Sequence, residues 1–201
     1  YDPVPCPPPS GPVILDGGNA LSEWSSPAGS LARFQSLLVA PEDSVAIITA
    51  PSGVTVANSV AAVLVGRNVC AKVVIISDAM KNDPVFAGAL GACRGFVFCG
   101  NTVDSLAGFL DPATLAGQAF RNAVDRRSPL VFLADDAMLA GDQGVGQLYK
   151  SIYGAYYGYL VPVAGLGVLP GFRCIPRLYE ASDWVDHRAS ALFWSMVRGR
   201  A

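Results

Sequence analysis

Two adjacent aspartates, Asp135 and Asp136, are the residues of this chain most pointedly placed for chemistry. They stand in Leu133-Ala134-Asp135-Asp136-Ala137, after the apolar run Pro129-Leu130-Val131-Phe132 and before a short stretch that reads as a helix. A strand, a sharp turn and a helix in that order can carry a nucleophile, usually as Gly-x-Ser-x-Gly. Here the turn holds no Ser, Cys or Thr, and Asp135 stands where the nucleophile is expected. A carboxylate can itself attack, but it needs an activating neighbourhood that the sequence does not spell out. As cation ligands, Asp135, Asp136 and Asp142 lack a further acidic residue to complete an oxygen cage. A helix N-cap on a solvated surface is the plainer reading, and neither a metal site nor a cofactor is expected.

A serine-type mechanism also needs a base and oxyanion donors. The one histidine, His187, falls within a predicted helix beside Trp184, Arg188 and Ala191, where a surface or half-buried role is the plain reading. Elbow turns are strained and favour small neighbours. Asp tolerates unusual dihedrals better than most residues, so the turn can survive around Asp135. Asp16-Gly17-Gly18 could cradle a phosphate, but the full Gly-x-Gly-x-x-Gly fingerprint is absent. The five cysteines, Cys6, Cys70, Cys93, Cys99 and Cys174, form no C-x-x-C pair, which argues against zinc. Cys70, Cys93 and Cys99 lie in or beside apolar segments and read as buried free thiols. Cys6 could pair in an oxidising compartment.

The elements that must position these turns alternate between strand-like and helix-like segments. Pro12 to Leu15, Ser44 to Thr49, Ala71 to Ser77, Gly95 to Cys99 and 129–133 read as strands. Helical spacing runs from Ser30 to Val39 and from Val54 to Val65. Asp83-Pro84 and Asp111-Pro112 each combine an acidic N-cap with proline at the first helical position, so a helix is expected to begin at both. A tyrosine-rich stretch from Tyr149 to Tyr159 follows, and a last helix from about Asp183 to Met196. Strands separated by helices imply right-handed crossovers and a mostly parallel sheet covered on both faces. The expected fold is a doubly wound, three-layer α/β sandwich, whose sites form at the carboxyl ends of the strands. Those ends are the turns holding Asp16, Gly17 and Gly18, Ser77 and Asp78, Gly100 and Asn101, and Asp135 and Asp136.

The 201 residues suit one such domain at 11–201, preceded by an extended proline-rich arm at 1–10. The chain is 52% hydrophobic and 15% charged. That surplus of apolar residues points either to a sheet well covered by Ala-rich helices or to a surface buried against another chain. The net charge of -2, with no basic run, excludes a nucleic-acid footprint. The longest apolar run, Tyr159 to Leu169, is broken by Pro162, Gly165 and Gly167, so no transmembrane segment is expected.

Several turns, in this order, resemble the cyanophycinase family (peptidase S51), serine hydrolases with a flavodoxin-like fold related to class I glutamine amidotransferases. Gly11-Pro12-Val13-Ile14-Leu15-Asp16-Gly17-Gly18 resembles the family's first strand and Gly-Gly turn. Gly95 to Val103, then Leu106, resembles the strand that ends in Gly-Gly-Asp-Gln, and Pro129 to Leu139 the strand and elbow that read Gly-Thr-Ser-Ala-Gly-Ala. Gly165-Leu166-Gly167-Val168-Leu169-Pro170-Gly171 is similar to the family's Gly-Leu-Gly-Leu-Leu-Pro-Gly and is the most specific match. The resemblance covers roughly residues 11 to 195. It puts the serine on Asp135, the flanking glycines on Leu133 and Ala137, and the substrate-binding Gly-Asp-Gln on Asn101-Thr102-Val103. The base histidine falls on Arg177, in Ile175-Pro176-Arg177, and the family's later arginines have at best Arg188 as a counterpart. The family continues for two or more strands beyond the point where this chain ends.

The resemblance therefore implies a hydrolase scaffold without its nucleophile and base. The expected function is that of a catalytically inactive domain acting as a structural, self-assembling or partner-binding module. Its partner would be another copy of itself or another protein, and Asp16, Gly17, Gly18, Gly100, Asn101, Asp135 and Asp136 line the vestigial cleft. The alternatives are a peptidase or amide hydrolase with a rearranged site and a small-ligand binding domain that uses the cleft. The start at Tyr1 rather than Met, the proline arm and the family's extracellular members favour a processed, secreted form.

Overall fold

The structure, a computed structural model, describes residues 11–18, 20–40, 43–101, 103–145 and 162–172. The proline arm, the Tyr149 to Tyr159 stretch, Ile175-Pro176-Arg177, His187, Arg188, the last predicted helix, Cys6 and Cys174 lie outside the described residues.

Among the described residues seven strands and six α-helices follow in order: β1 (Val13–Asp16), α1 (Leu21–Trp24), α2 (Ser30–Leu37), β2 (Ser44–Thr49), α3 (Val54–Gly66), β3 (Cys70–Ile75), α4 (Pro84–Ala92), β4 (Gly95–Phe98), α5 (Val103–Phe109), α6 (Leu115–Asp125), β5 (Leu130–Leu133), β6 (Gln143–Val145) and β7 (Pro162–Ala164). The first five strands form one sheet in the order β1-β5-β4-β2-β3, and every pairing in it is parallel. β6 and β7 form a separate antiparallel pair. Among the described residues no helix is long and apolar enough to cross a membrane.

Alternation along the strands divides the interior into two layers. Val45, Ile47, Val97, Cys99, Val131 and Leu133 pack with Trp24 of α1, Phe34 of α2 and Leu64 of α3. Ala46, Ile48, Phe96, Phe98 and Phe132 face the other way, toward Leu90 of α4, Phe109 of α5 and Phe120 of α6. A parallel sheet covered on both faces needs unbroken apolar strands. Every residue of β4 and β5 is buried accordingly. Phe98 stacks on Phe132 at 4.5 Å between centroids and meets Phe120 edge-on at 5.6 Å. Each such pair adds about 0.5–1.5 kcal/mol beyond burial. These contacts lock together the two strands whose ends carry Asn101 and Asp136. The fold is α/β and flavodoxin-like, with helices on both faces.

Several local expectations are met. Asp83 caps α4, its Oδ1 accepting from Val85 N at 2.8 Å and Phe86 N at 3.3 Å, with Pro84 as the first helical residue. Asp111-Pro112 behaves differently. Asp111 Oδ1 accepts from Ala113 N at 2.8 Å and closes a turn, and α6 begins only at Leu115. The cap there is Thr114, whose Oγ1 accepts from Gly117 N at 2.9 Å. The turn is needed because α5 ends just upstream, at Phe109, and the chain must reverse before α6. The helix expected from Ser30 to Val39 stops at Leu37, with Leu38 extended. Cys99 is buried, Cys93 half-buried and Cys70 exposed. The exposure of Cys70 corrects the expectation of a buried thiol: β3 is an edge strand, so its pattern is mixed rather than buried.

Candidate functional site

The sheet order sets where a cleft can form. β2 is continued by α3 on one face, whereas β4 leads on through α5 and α6 on the other. The strand order thus reverses between β2 and β4, and a crevice opens at their carboxyl ends. Gly53, just after β2, and Gly100, just after β4, are the backbones that meet there.

A cleft of about 350 Å³ lies beside this point, lined by Leu21, Trp24, Thr55, Val56, Ser59, Gly100, Asn101, Ala134, Asp135 and Asp136. Four of the seven residues expected to line the cleft, Gly100, Asn101, Asp135 and Asp136, are therefore brought together. The Asp16-Gly17-Gly18 turn stands at the side. Asp16 is in register with Leu133, the last residue of β5. Its Oδ1 accepts from Gly18 N at 3.0 Å. A Cβ on Gly18 would stand 2.6 Å from Glu23 Oε2 and 3.7 Å from Trp24 Nε1, so this turn lies against α1.

The turn after β5 is the sharpest feature. A short 3-10 helix runs from Ala134 to Ala140 directly behind the strand. Ala134 has φ 54°, the left-handed region. For alanine that conformation costs on the order of 1–2 kcal/mol. The strained residue is thus Ala134, one position before Asp135, the residue on which the resemblance put the serine. The strand ends at Leu133, so the reversal falls on the next residue.

Asp136 is 2% exposed at the floor of the cleft. Asn101 N donates to its Oδ2 at 3.3 Å. Asn101 Nδ2 donates in turn to Ile48 O at 2.9 Å and Cys99 O at 3.4 Å, tying the floor to the ends of β2 and β4. Burial pushes the Asp136 carboxyl well above the usual carboxylate range. The Asn101 hydrogen bonds oppose the shift, and the neighbouring Asp135 charge adds to it. The Cys99 thiol, desolvated and next to Asp136, is pushed up to about 12. Among the described residues no group of three or more His, Cys, Asp or Glu side chains could hold a metal ion. Asp142 lies elsewhere, accepting from Gly171 N at 2.5 Å and fixing the Leu-Pro-Gly turn.

Leu21, Trp24, Thr55, Val56 and Ser59 were not picked out by sequence. They come from helix faces whose aim depends on packing. The one local hint is the shortness of α1, which holds Trp24 against the sheet as a buried residue. A second cleft of about 500 Å³ beside β3 and α5 is larger, with Ser77, Asp78, Lys81 and Ser105 in its wall. Its charges are paired, Lys81 Nζ lying 2.6 Å from Asp78 Oδ1. The smaller cleft is the better candidate because it carries the strained turn and the buried acid.

No family model matches the chain, and no curated protein matches it. Solved structures do. A peptidase from an acI-B1 actinobacterium superposes with a TM-score of 0.65 at 18% identity, over 90% of this chain and 75% of that one. A protein from Listeria monocytogenes EGD-e assigned to the peptidase E type gives a TM-score of 0.63 at 10% identity, over 92% of this chain and 87% of that one. The chain has the fold of these peptidases.

Proposed function

We propose that this is a peptidase-fold domain that binds without cleaving, a structural or partner-binding module built on a hydrolase scaffold. The observation that carries the reading is Ala134. In hydrolases of strand–elbow–helix design the nucleophile occupies the strained residue behind a central strand. Here that residue is Ala134, at φ 54°, whose side chain is a methyl group. The next two residues are Asp135 and Asp136, so a shift of one position does not bring in a hydroxyl or thiol.

The remaining groups in the cleft support the same reading. Ser59 Oγ donates back to Thr55 O at 3.1 Å, as helical serines do. The low identity to the solved peptidases leaves room for a different use of the fold.

Labelling with a fluorophosphonate probe tests this reading. The expected result is no adduct in the intact mass of the native protein, under conditions where an authentic serine hydrolase is fully modified. A stoichiometric adduct that disappears on heat denaturation would show an activated nucleophile and overturn the reading.

A further inference from the structure

The floor of the cleft holds polar atoms that the protein leaves without partners. Asp136 Oδ1 has none, in a residue 2% exposed. Trp24 Nε1, in a residue 4% exposed, has no acceptor. Asn101 Oδ1 is buried without a donor. An unsatisfied buried polar group costs about 1–3 kcal/mol, so the two acceptors among them, Asp136 Oδ1 and Asn101 Oδ1, without partners among the described residues, need a reason.

Asn101 and Asp136 meet at this floor, Asn101 N donating to Asp136 Oδ2 at 3.3 Å while Asn101 Nδ2 is committed to backbone carbonyls. Asp136 Oδ1 and Asn101 Oδ1 are thus acceptors left open on neighbouring residues. Among the described residues the titratable groups acting on Asp136 are Asp135, which opposes its ionisation, and the Cys99 thiol.

Among the described residues lining the cleft the ionisable groups are the carboxyls of Asp135 and Asp136, with no basic residue beside them. The carboxylates of Asp16 and Glu23 converge at the Gly18 turn, next to Trp24. Leu21, Trp24 and Val56 supply an apolar wall. A pocket of a few hundred Å³ with an apolar wall and a few convergent polar groups suits a small organic ligand.

We propose that this cleft is a site for a small, flat organic cation of the amidinium type, whose N–H groups are accepted by Asp136 and Asn101 Oδ1 while its apolar body lies against Leu21, Trp24 and Val56. The inference rests on the reading of the domain as a non-cleaving binder. An amidinium presents paired donors in one plane, which matches two neighbouring acceptors better than a single ammonium does. Trp24 adds the attraction of an aromatic ring for a cation. Where pH leaves Asp136 protonated, the entering cation is matched by ionisation of the carboxyl and release of its proton to solvent, so charge at the floor balances before and after.

Three isosteres of different charge test the proposal: benzamidine, benzamide and benzoate, titrated calorimetrically into the intact protein in two buffers of different ionisation enthalpy. Benzamidine is expected to bind and to release protons below neutral pH. Benzamide is expected to bind at least about tenfold more weakly, a difference of about 1.4 kcal/mol, and benzoate not to bind. Asp136→Asn is expected to abolish the proton release and reduce benzamidine affinity at least tenfold, and to change benzamide affinity by less than it changes that of benzamidine. Equal binding of benzamidine and benzamide, tighter binding of benzoate, or no benzamidine binding at about 10 mM overturns the proposal. If Asp136→Asn does not fold, the isostere series on the unaltered protein still decides. An absence of benzamidine binding without hydrolysis sinks the cation site and leaves the non-cleaving reading intact. Hydrolysis with benzamidine binding does the reverse.

Discussion

Gly53 and Gly100 meet backbone to backbone where the strand order reverses between β2 and β4. A Cβ on Gly53 would stand 2.7 Å from Gly100 Cα, and a Cβ on Gly100 would stand 2.6 Å from Gly53 Cα. No side chain fits between them, and Gly100 also has φ 70°. The contact sets the spacing of the two strand ends, and so the position of Asn101 on the floor of the cleft.

Replacing either glycine should therefore open the site and destabilise the fold. Gly53→Ala is expected to cost about 1–3 kcal/mol, as overpacking does. Gly100→Ala is expected to cost more, because the left-handed penalty adds to it. Gly88, in the interior of α4 with open space around it, is the control. Gly88→Ala is expected to stabilise by about 0.5–1 kcal/mol. Urea unfolding of the three variants checks this, and equal effects at Gly53 and Gly88 would contradict the close approach.

Ala134 stores strain that a glycine would release. Alanine to glycine ordinarily costs about 0.5–1 kcal/mol inside an element. At Ala134 the sign should reverse, with Ala134→Gly stabilising by about 0.5–1 kcal/mol. Ala134→Val should destabilise, since β-branched residues are poorly tolerated at positive φ. A loss of stability in the glycine variant would mean that the turn is not left-handed in solution.

Asp136 should make the domain less stable as pH rises. Its folded-state pKa lies above its unfolded value, so the native state holds the proton more tightly. The stability this contributes is present in full below the unfolded value, about 3.9. It falls away as pH climbs toward the raised folded value, with a slope of at most about 1.4 kcal/mol per pH unit. Asp136→Asn should remove that slope and be more stable than the unaltered protein near neutral pH. Denaturant midpoints measured from about pH 4 to 8 provide the check, and parallel pH profiles for the two proteins would rule the buried acid out.

What could be read from the sequence was local. The bounds of β2 and the cap of α4 follow from an apolar run and an Asp-Pro pair, signals contained within a few residues. The turns bearing Asn101, Asp135 and Asp136 were placed at one end of the sheet because strands and helices alternate. The rest depends on distant contacts. Asp111-Pro112 carries the same signal as Asp83-Pro84, yet Thr114 wins because α5 ends just before it. The run from Ala71 to Ser77 reads as a strand with Cys70 buried beside it, but sheet order puts β3 at an edge and exposes Cys70. Trp24, Thr55 and Ser59 reach the cleft only through the packing of α1 and α3. The residue bearing the strain was off by one, because the end of β5 is fixed by its pairing with β1 and not by the Gly-x-Ser-x-Gly pattern.

The central claim is that the fold of a peptidase is used here without cleavage. The most direct test is incubation of the purified protein with a mixed library of dipeptides and short acidic peptides, with released amino acids quantified by mass spectrometry. The account predicts release no faster than in buffer, with Ala134→Gly and Asp136→Asn indistinguishable from the unaltered protein. Turnover that saturates with substrate and is lost in either variant would contradict it.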